Sequence, residues 1–382
     1  MSLLQLLIVA AAFYVGCIHC QDFDGCSVNA YPPPENTQIK DVILNLDLAP
    51  KERWSHLVAP YKVQLTALIA QIKKLVSAKV LEIIDKSLEA IVFRLPQPYR
   101  DEIIGISTAT EIELGEVVLY NIFYEIFTVC TSIVGQDKDG KLYHARNLDF
   151  GLFMGWDMKN NTWAISELLR PLIFNVLYQK QGKVVYKAVH FLGYVGIITG
   201  IKPGVFTLTV NERFALDGGY IGLIEWLLGM NKARWMGFLT RETFENANSF
   251  DDAKKALSDD QLIAPVYFIL GGTKPGEGCV ITRSRTKSLD VMSLDPPKGV
   301  WYVLETNYDH WKAPLFIDDR RTPANTCMKN TTQAGMGFKG LFNVLSTKPV
   351  LNKLTVYTAL LQVDSGTMTT YRRSCHDPCW PW

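Results

Sequence analysis

Cys130 stands in the run Phe127-Thr128-Val129-Cys130-Thr131-Ser132-Ile133-Val134, and sixteen residues on comes Arg146, with Asp149 three beyond it, in His144-Ala145-Arg146-Asn147-Leu148-Asp149-Phe150. A thiol attacks as its thiolate, and a guanidinium beside it favours that form. Between the two runs lies Asp139-Gly140, flanked by stretches of strand composition at 131–136 and 142–148, which is a hairpin signal. Folding that hairpin returns 146–149 to the neighbourhood of Cys130. A two-residue and a three-residue loop differ in which side chains share a face, so the sequence predicts proximity and leaves the facing open. Taken alone, Cys130 reads as an inert buried thiol, and Arg146 with Asp149 as an ion pair at a strand end; it is the second group below that sets them against that reading.

A second group of chemical interest lies far along the chain. Residues 301–305 form a predicted strand that runs into Thr306-Asn307-Tyr308-Asp309, followed by Asp318-Asp319-Arg320-Arg321-Thr322-Pro323. An amide at a strand terminus can donate to a developing oxyanion, a role worth roughly 2.7–4 kcal/mol; Asn307 could equally cap the following turn. A Cys–His pair is the rival chemistry, with His56, His144, His190, His310 and His376 available. No Cys-Gly-x-Cys-Trp run accompanies Cys130, which counts against a papain-like pair, and His144 and His310 read better as network or surface residues. The close pair Cys375 and Cys379 lacks a second ligand pair of zinc spacing, so neither a metal nor another cofactor is expected.

These residues must be placed by a large core, which 382 residues at 48% apolar content can supply. The 39 basic and 38 acidic residues nearly cancel, which argues against nucleic acid as a partner. Residues 1–20 contain no Lys, Arg, Asp or Glu and read as a secretory signal with Gln21 as mature start; an uncleaved anchor is the alternative, because a basic n-region is missing. No later stretch is apolar for the ~18 residues that a span requires. Cys26, Cys130, Cys279, Cys327, Cys375 and Cys379 then remain in an oxidising compartment that favours disulfides. Asn160-Asn161-Thr162 and Asn330-Thr331-Thr332 are glycosylation sequons at Asn160 and Asn330. From 60 to 127 the apolar spacing is helical, with helices expected over 63–75, 80–92 and 111–127. After Cys130 it turns to strands, at 184–191, 195–199, 205–210, 266–270, 280–282 and 301–305, interleaved with helices at 220–228, 233–246, 250–258 and 338–345. That order predicts an α+β layered domain.

Five segments together carry a family resemblance: Cys130-Thr131-Ser132-Ile133-Val134, 144–150, Thr207-Leu208-Thr209-Val210-Asn211-Glu212-Arg213-Phe214, Thr306-Asn307-Tyr308-Asp309 and 318–323. They resemble the N-terminal-nucleophile (Ntn) amidohydrolases that comprise the acid ceramidases and N-acylethanolamine-hydrolysing acid amidases. Asn211-Glu212-Arg213-Phe214, the 218–220 stretch and Cys375/Cys379 side with the ceramidase branch. The resemblance implies an αββα sandwich, autocleavage between Val129 and Cys130, and two pieces, a mainly helical 21–129 and a catalytic 130–382. The freed α-amine would serve as base, since an internal amide nitrogen is not one and an α-amine has a reference pKa of about 7.7–8.0.

Residue by residue, the resemblance implies Cys130 as nucleophile, with Arg146 and Asp149 orienting the thiol and the α-amine. Asn307 would supply the oxyanion hole, Arg320 would support that side, and Glu212 would line the substrate pocket. It further implies disulfides Cys26–Cys327, joining the two pieces, and Cys375–Cys379, leaving Cys279 reduced. The expected substrate is ceramide, cleaved to sphingosine and fatty acid in the lysosome lumen or after secretion. The expected partners are a membrane surface, met peripherally, and a saposin activator. Phe153, Trp156, Trp163 and 220–228 are candidates for the apolar groove. The alternatives are hydrolysis of N-acylethanolamines or other fatty-acyl amides, and a lumenal lipid-binding protein without catalysis.

Overall fold

The computed structural model describes residues 25–75, 82, 88–123, 128–150, 155–214, 219–230 and 232–379. The signal segment and Phe153 lie outside the described residues, as does most of the helix expected over 80–92. Two large sheets face each other. The smaller has five strands in the order β13-β2-β3-β14-β15, with β2 Thr128–Gln136, β3 Leu142–Phe150, β13 Tyr302–Glu305, β14 Thr355–Gln362 and β15 Thr367–Arg372. The larger has eight, in the order β1-β6-β7-β8-β9-β10-β11-β12. Its members are β1 Asp41–Asn45, β6 Ile173–Lys180, β7 Lys183–Phe191, β8 Thr199–Lys202, β9 Phe206–Glu212, β10 Val266–Gly271, β11 Gly278–Arg283 and β12 Ser288–Ser293. A two-stranded ribbon, β4 Trp156–Asp157 with β5 Thr162–Trp163, stands apart from both.

Helices cover the outer faces. The principal ones among the described residues are, in chain order, α1 Lys62–Leu75, α2 Tyr99–Thr110, α3 Leu114–Phe123, α4 Ala164–Leu169, α5 Gly219–Leu227, α6 Met236–Asn246, α7 Phe250–Asp259, α8 Arg321–Thr331 and α9 Phe338–Leu345. Helices α6 and α7 pack on the eight-stranded sheet, and α8 and α9 on the five-stranded one. The stacking is αββα. Burial on both faces explains why β10, and β14 up to Gln362, are apolar or hydroxylic rather than alternating. Between the sheets Val134, Ile269, Val280 and Val303 interdigitate, while Ile133, Ala145 and Leu360 meet Leu341 and Leu345 of α9 on the other side. Local chemistry sets helix ends: Ser249 accepts from the backbone N–H of Asp252 (3.0 Å) and starts α7.

Two sequence expectations are corrected. No strand occupies 195–198; β8 begins at Thr199. There the backbone pairs with a helix start instead, Ile197 N–H donating to the Gly237 carbonyl and the Ile197 carbonyl accepting from the Thr240 hydroxyl. A β-carbon at Gly196 would fall 2.5 Å from the Tyr194 hydroxyl oxygen, so only glycine permits that approach. The expected helix at 111–127 begins later, because Glu111 adopts a left-handed φ of 54° that ends α2. The N-terminal segment also reaches the large sheet: β1 adds in parallel to β6 and makes one edge of it. Its Glu102 lies wholly buried between Arg53, the Trp54 indole N–H (2.7 Å) and both terminal nitrogens of Arg241 (2.5 and 2.7 Å).

Candidate active site

The β2–β3 hairpin fixes what the sequence left open. Its loop is the three-residue Lys138-Asp139-Gly140. The Asp137 N–H reaches the Lys141 carbonyl (3.0 Å), Gly140 N–H reaches the Asp137 carbonyl (3.2 Å), and Gly140 takes a φ of +85° that favours glycine. That loop sets Ser132 opposite Arg146, Cys130 opposite Leu148 and Val129 opposite Asp149. Directly paired residues share a face. Cys130 and Arg146 therefore point together into the space between the sheets, and the Asp149 side chain points the other way, with that of Val129.

Arg146 spans the gap between sheets and is wholly buried. It donates to the Cys130 sulfur, to the Ile198 carbonyl (3.1 Å), to the Thr199 hydroxyl (2.6 Å) and to the Val210 carbonyl (3.3 Å). Thr199 is in turn bonded to the Tyr357 hydroxyl (2.8 Å), whose ring lies beside the guanidinium. The Cys130 thiol has no exposure in the uncut chain. Burial pushes it up to about 11; Arg146 opposes that shift, as does the backbone N–H of Asp149, which bonds the sulfur.

Along the edge of β2 where β13 ends, a second set of groups converges on the same residue's backbone. The Asn307 Oδ1, two residues past the end of β13, accepts the Cys130 N–H (2.9 Å) and an Arg320 N–H (2.8 Å), while Asn307 Nδ2 donates to the Glu212 carbonyl (2.7 Å). Arg320, immediately before α8, also donates to the Cys130 carbonyl (2.6 Å), the Thr131 hydroxyl (3.2 Å) and both oxygens of Asp318 (2.7 and 3.0 Å). Its remaining contact is Asp149 at 3.5 Å. Asp149 accepts from the Asn352 amide (3.2 Å) as well; burial pushes it up to about 6 against the pull of Arg320. A guanidinium and an amide thus grip both backbone polar groups of Cys130, and a second guanidinium grips its thiol.

Of the residues singled out in the sequence, Cys130, Arg146, Asp149, Asn307 and Arg320 meet here, with Val129 paired to Asp149. Glu212 meets the group through its backbone carbonyl, at the end of β9. His144 stands apart from the thiol, its ring nitrogens bonded to the Thr207 and Thr209 hydroxyls (2.9 and 3.0 Å), and burial lowers it to about 3. Trp156 and Trp163 pack edge to face in the β4–β5 ribbon. Disulfides join Cys26 to Cys327 and Cys375 to Cys379; Cys279 is free and buried, pushed up to about 12 by that burial. Asn160 and Asn330 are exposed. Among the described residues no group of three His, Cys, Asp or Glu side chains could hold a metal ion. Sequence reading missed Thr199, Tyr357 and Asn352. No spacing links them to Cys130; only the pairing of β3 with β14 and the facing of β8 bring them in.

Comparison with known proteins places the chain in a family. Residues 130–375 match the family described as linear amide C–N hydrolases, choloylglycine hydrolase family, and the match starts at Cys130 itself. Residues 37–95 match the family described as the beta subunit of N-acylethanolamine-hydrolyzing acid amidase. An acid ceramidase from Balaenoptera acutorostrata scammoni is 49% identical over 94% of this chain and 93% of its own length; that from Homo sapiens is 47% identical over 100% and 99%. The chain belongs to the acid ceramidase family. Like its relatives it is a hydrolase of linear amide C–N bonds with the Ntn-hydrolase fold. Among solved structures, a Caenorhabditis elegans ortholog of N-acylethanolamine-hydrolyzing acid amidase superposes with a TM-score of 0.53 at 33% identity, covering 61% of this chain and 92% of that one. In this chain Cys130 differs from an ordinary buried cysteine in being held twice, at thiol and at backbone nitrogen.

Proposed function

We propose that this chain hydrolyses the amide bond of ceramide, releasing sphingosine and a fatty acid, and that it becomes competent by cutting itself between Val129 and Cys130. The observation that carries the reading is the Cys130 N–H held at 2.9 Å by Asn307 Oδ1 while the same residue's thiol is held by Arg146. Scission at that nitrogen would turn a non-basic amide into an α-amine already anchored beside the sulfur. The start of the family match at Cys130 supports the division into 21–129 and 130–382.

In the cut, the Cys130 sulfur attacks the Val129 carbonyl carbon. The C–N bond breaks, the thiol proton passes to the departing nitrogen, and water hydrolyses the thioester to leave a Val129 carboxylate. In turnover the free α-amine takes the thiol proton as the same sulfur attacks the ceramide carbonyl. Asn307 stabilises the tetrahedral oxygen, the α-ammonium gives its proton to the sphingosine nitrogen, and the α-amine then deprotonates the water that releases the fatty acid. Arg146 fixes the sulfur; Arg320, held by Asp318, fixes the Cys130 carbonyl and the plane of Asn307. Asp149 steadies the Arg320 side, and Glu212 positions Asn307 through its carbonyl and borders the substrate.

The lysosome lumen is the proposed site of action, by secretion of the chain past a signal at 1–20. Contact with bilayers is supported by an exposed apolar group, Phe93 with Ile221, Ile224, Leu228 and Met230, joined where Arg94 donates to the Leu227 carbonyl (2.6 Å). A saposin would deliver lipid there. Among the described residues no helix is long and apolar enough to cross a membrane. The test is to incubate purified precursor at acid pH, sequence the N-terminus of the larger product and assay ceramide against an N-acylethanolamine. A new N-terminus at Cys130 with ceramide preferred is expected. An intact chain that turns over ceramide would overturn the mechanism, and preference for the ethanolamide would overturn the substrate.

A further inference from the structure

We propose that Asn211 is a positioning residue that sets where Asn307 stands relative to Cys130; the inference rests on the catalytic reading of Asn307 given above. Asn211 lies on β9, one residue before Glu212, and is wholly buried. A side-chain amide carries two donor hydrogens and an acceptor oxygen, and Asn211 applies each to a different part of the site. Its Nδ2 donates to the carbonyls of Glu305 (3.1 Å) and Thr306 (2.9 Å), the two residues that lead directly into Asn307. Its Oδ1 accepts from the Ser132 hydroxyl (2.9 Å), two residues past Cys130 on β2. Ser132 is itself steadied by the Thr209 hydroxyl (2.9 Å) from the same face of β9.

One side chain therefore straps three strands, the one that carries the thiol, the one that ends at the amide, and its own. The strap matters because Asn307 sits just past β13, whose last residue is Glu305 and whose ladder with β2 ends at the Glu305–Ser132 pair. Beyond that point the strand-to-strand ladder no longer fixes the backbone. Hydrogen bonds to the end of β9 replace it: Asn307 Nδ2 to the Glu212 carbonyl (2.7 Å), Phe214 N–H to the Asn307 carbonyl (3.2 Å), and the fork of Arg213 on the Asp309 carboxylate (2.6 and 2.8 Å). Asp309 is also bonded by the Tyr267 hydroxyl (2.8 Å). Within this clamp Asn211 reaches the strand of Cys130 through Ser132, so it couples the backbone that leads into the amide to the strand of the thiol, beside the direct bonds that Asn307 and Arg320 make to Cys130.

The experiment compares Asn211→Ala, Asn307→Ala, the double variant, and Asn175→Ala as a control. Asn175 is a buried asparagine on β6 whose amide bonds Asp41 and Ile39 at the sheet edge, remote from the clamp. Readouts are the rate of precursor scission, which needs no substrate, and kcat and KM per cut chain on a fatty-acyl amide. Asn211→Ala should lower kcat between about tenfold and 100-fold, the cost of displacing a catalytic group by up to an ångström, with KM within about twofold. The double variant should be no slower than Asn307→Ala, and Asn175→Ala should lose thermal stability with kcat unchanged. Should Asn211→Ala not fold, Asn211→Ser, which keeps one donor, takes its place with a smaller fall expected. Multiplying effects of Asn211 and Asn307, or equal kcat losses in Asn211→Ala and Asn175→Ala, would overturn the proposal. A wild-type protein that cleaves no fatty-acyl amide overturns the functional reading instead, and the scission rates then decide the proposal by the same comparison.

Discussion

Replacing Asn307 by aspartate separates what that residue holds from what it donates. The two side chains have the same shape. One oxygen of the new carboxylate can keep the bonds that Asn307 Oδ1 now accepts, from the Cys130 N–H at 2.9 Å and from Arg320 at 2.8 Å. Arg320 favours the charge, being raised above its ordinary value because Asp318 and Asp149 outweigh its burial. The other oxygen, however, replaces Nδ2, and would stand 2.7 Å from the Glu212 carbonyl with no hydrogen between them. The donor to a developing oxyanion is lost at the same position. Removal of one such donor costs roughly 2.7–4 kcal/mol, or about 10²–10³ in kcat. KM should stay nearly constant, because the lost bond belongs to the transition state rather than to the bound amide. The assay is single-turnover hydrolysis of a fluorogenic fatty-acyl amide, normalised to the amount of chain bearing Cys130 at its N-terminus. A kcat within about threefold of wild type for properly cut Asn307→Asp protein would refute the assignment of Asn307 as that donor.

Cys130→Ala should remain a single intact chain after acid incubation and show no amidase activity; two bands on a denaturing gel would sink the account. After scission and reduction of Cys26–Cys327, the two pieces should still elute together in native size exclusion, because β1 is paired into the large sheet and Glu102 is clasped by Arg241; separate elution refutes that view. Glu102→Gln leaves the wholly buried Arg241 without its main counter-charge and should cost about 3–5 kcal/mol in denaturant unfolding. For pH, Glu305 and Asp149, pushed up by burial to about 8 and about 6, bind protons in the fold that the unfolded chain releases, so their contribution is complete below the unfolded carboxyl range and is lost as pH rises through those values. His144 and His190, lowered by burial to about 3, act oppositely, contributing fully above 6.5 and less as pH falls towards 3. Urea midpoints should therefore rise from pH 8 to 6.5, stay nearly level to about 4.5 and fall below; Glu305→Gln should flatten the upper limb, and a steady increase from pH 5 to 8 would refute the argument.

How far the site was legible follows from how each residue is placed. Cys130, Arg146 and Asp149 belong to one hairpin whose turn residues are written in the sequence, so proximity could be read. Facing could not, because it depends on whether the loop holds two or three residues. Asn307 and Arg320 were legible as types, an amide after a strand and an arginine after a paired Asp, but nothing local says that they close on a backbone 177 and 190 residues away. Resemblance to a family supplied that. Strands β14 and β15 escaped notice: β14 reads Thr-Val-Tyr-Thr-Ala-Leu-Leu-Gln and is buried on both faces, so it lacks the alternation by which strands are recognised. β1 escaped because it lies in a stretch whose neighbours are helical. The supposed strand at 195–199 failed for the converse reason. Its apolar run is real, but Gly196 lets a helix start approach so closely that the backbone pairs there.

On the proposed reading the intact chain would hold itself inactive, and one bond would account for it. Thr128 and Val129 are the first two residues of β2, and Val129 pairs with Asp149, so the bond proposed for cutting lies inside a strand rather than in an accessible loop. No outside protease could readily reach it, whereas the Cys130 sulfur is already within one residue of the carbonyl it must attack. Before the cut the thiol has no exposure, its pKa stands near 11 and its nitrogen is an amide. Each of these opposes turnover of any external amide. Scission would make Cys130 the first residue of its strand and convert the nitrogen that Asn307 holds into the missing base. Thr128 and Val129 would then be the loose end of a chain and no longer a continuation of β2. Access and basicity would therefore arise in one step, while β1, the Glu102–Arg241 pair and Cys26–Cys327 keep the N-terminal piece where it was. A design of this kind needs the residues around Cys130 to be set before the cut, which is how Arg146, Asn307 and Arg320 stand in the uncut structure.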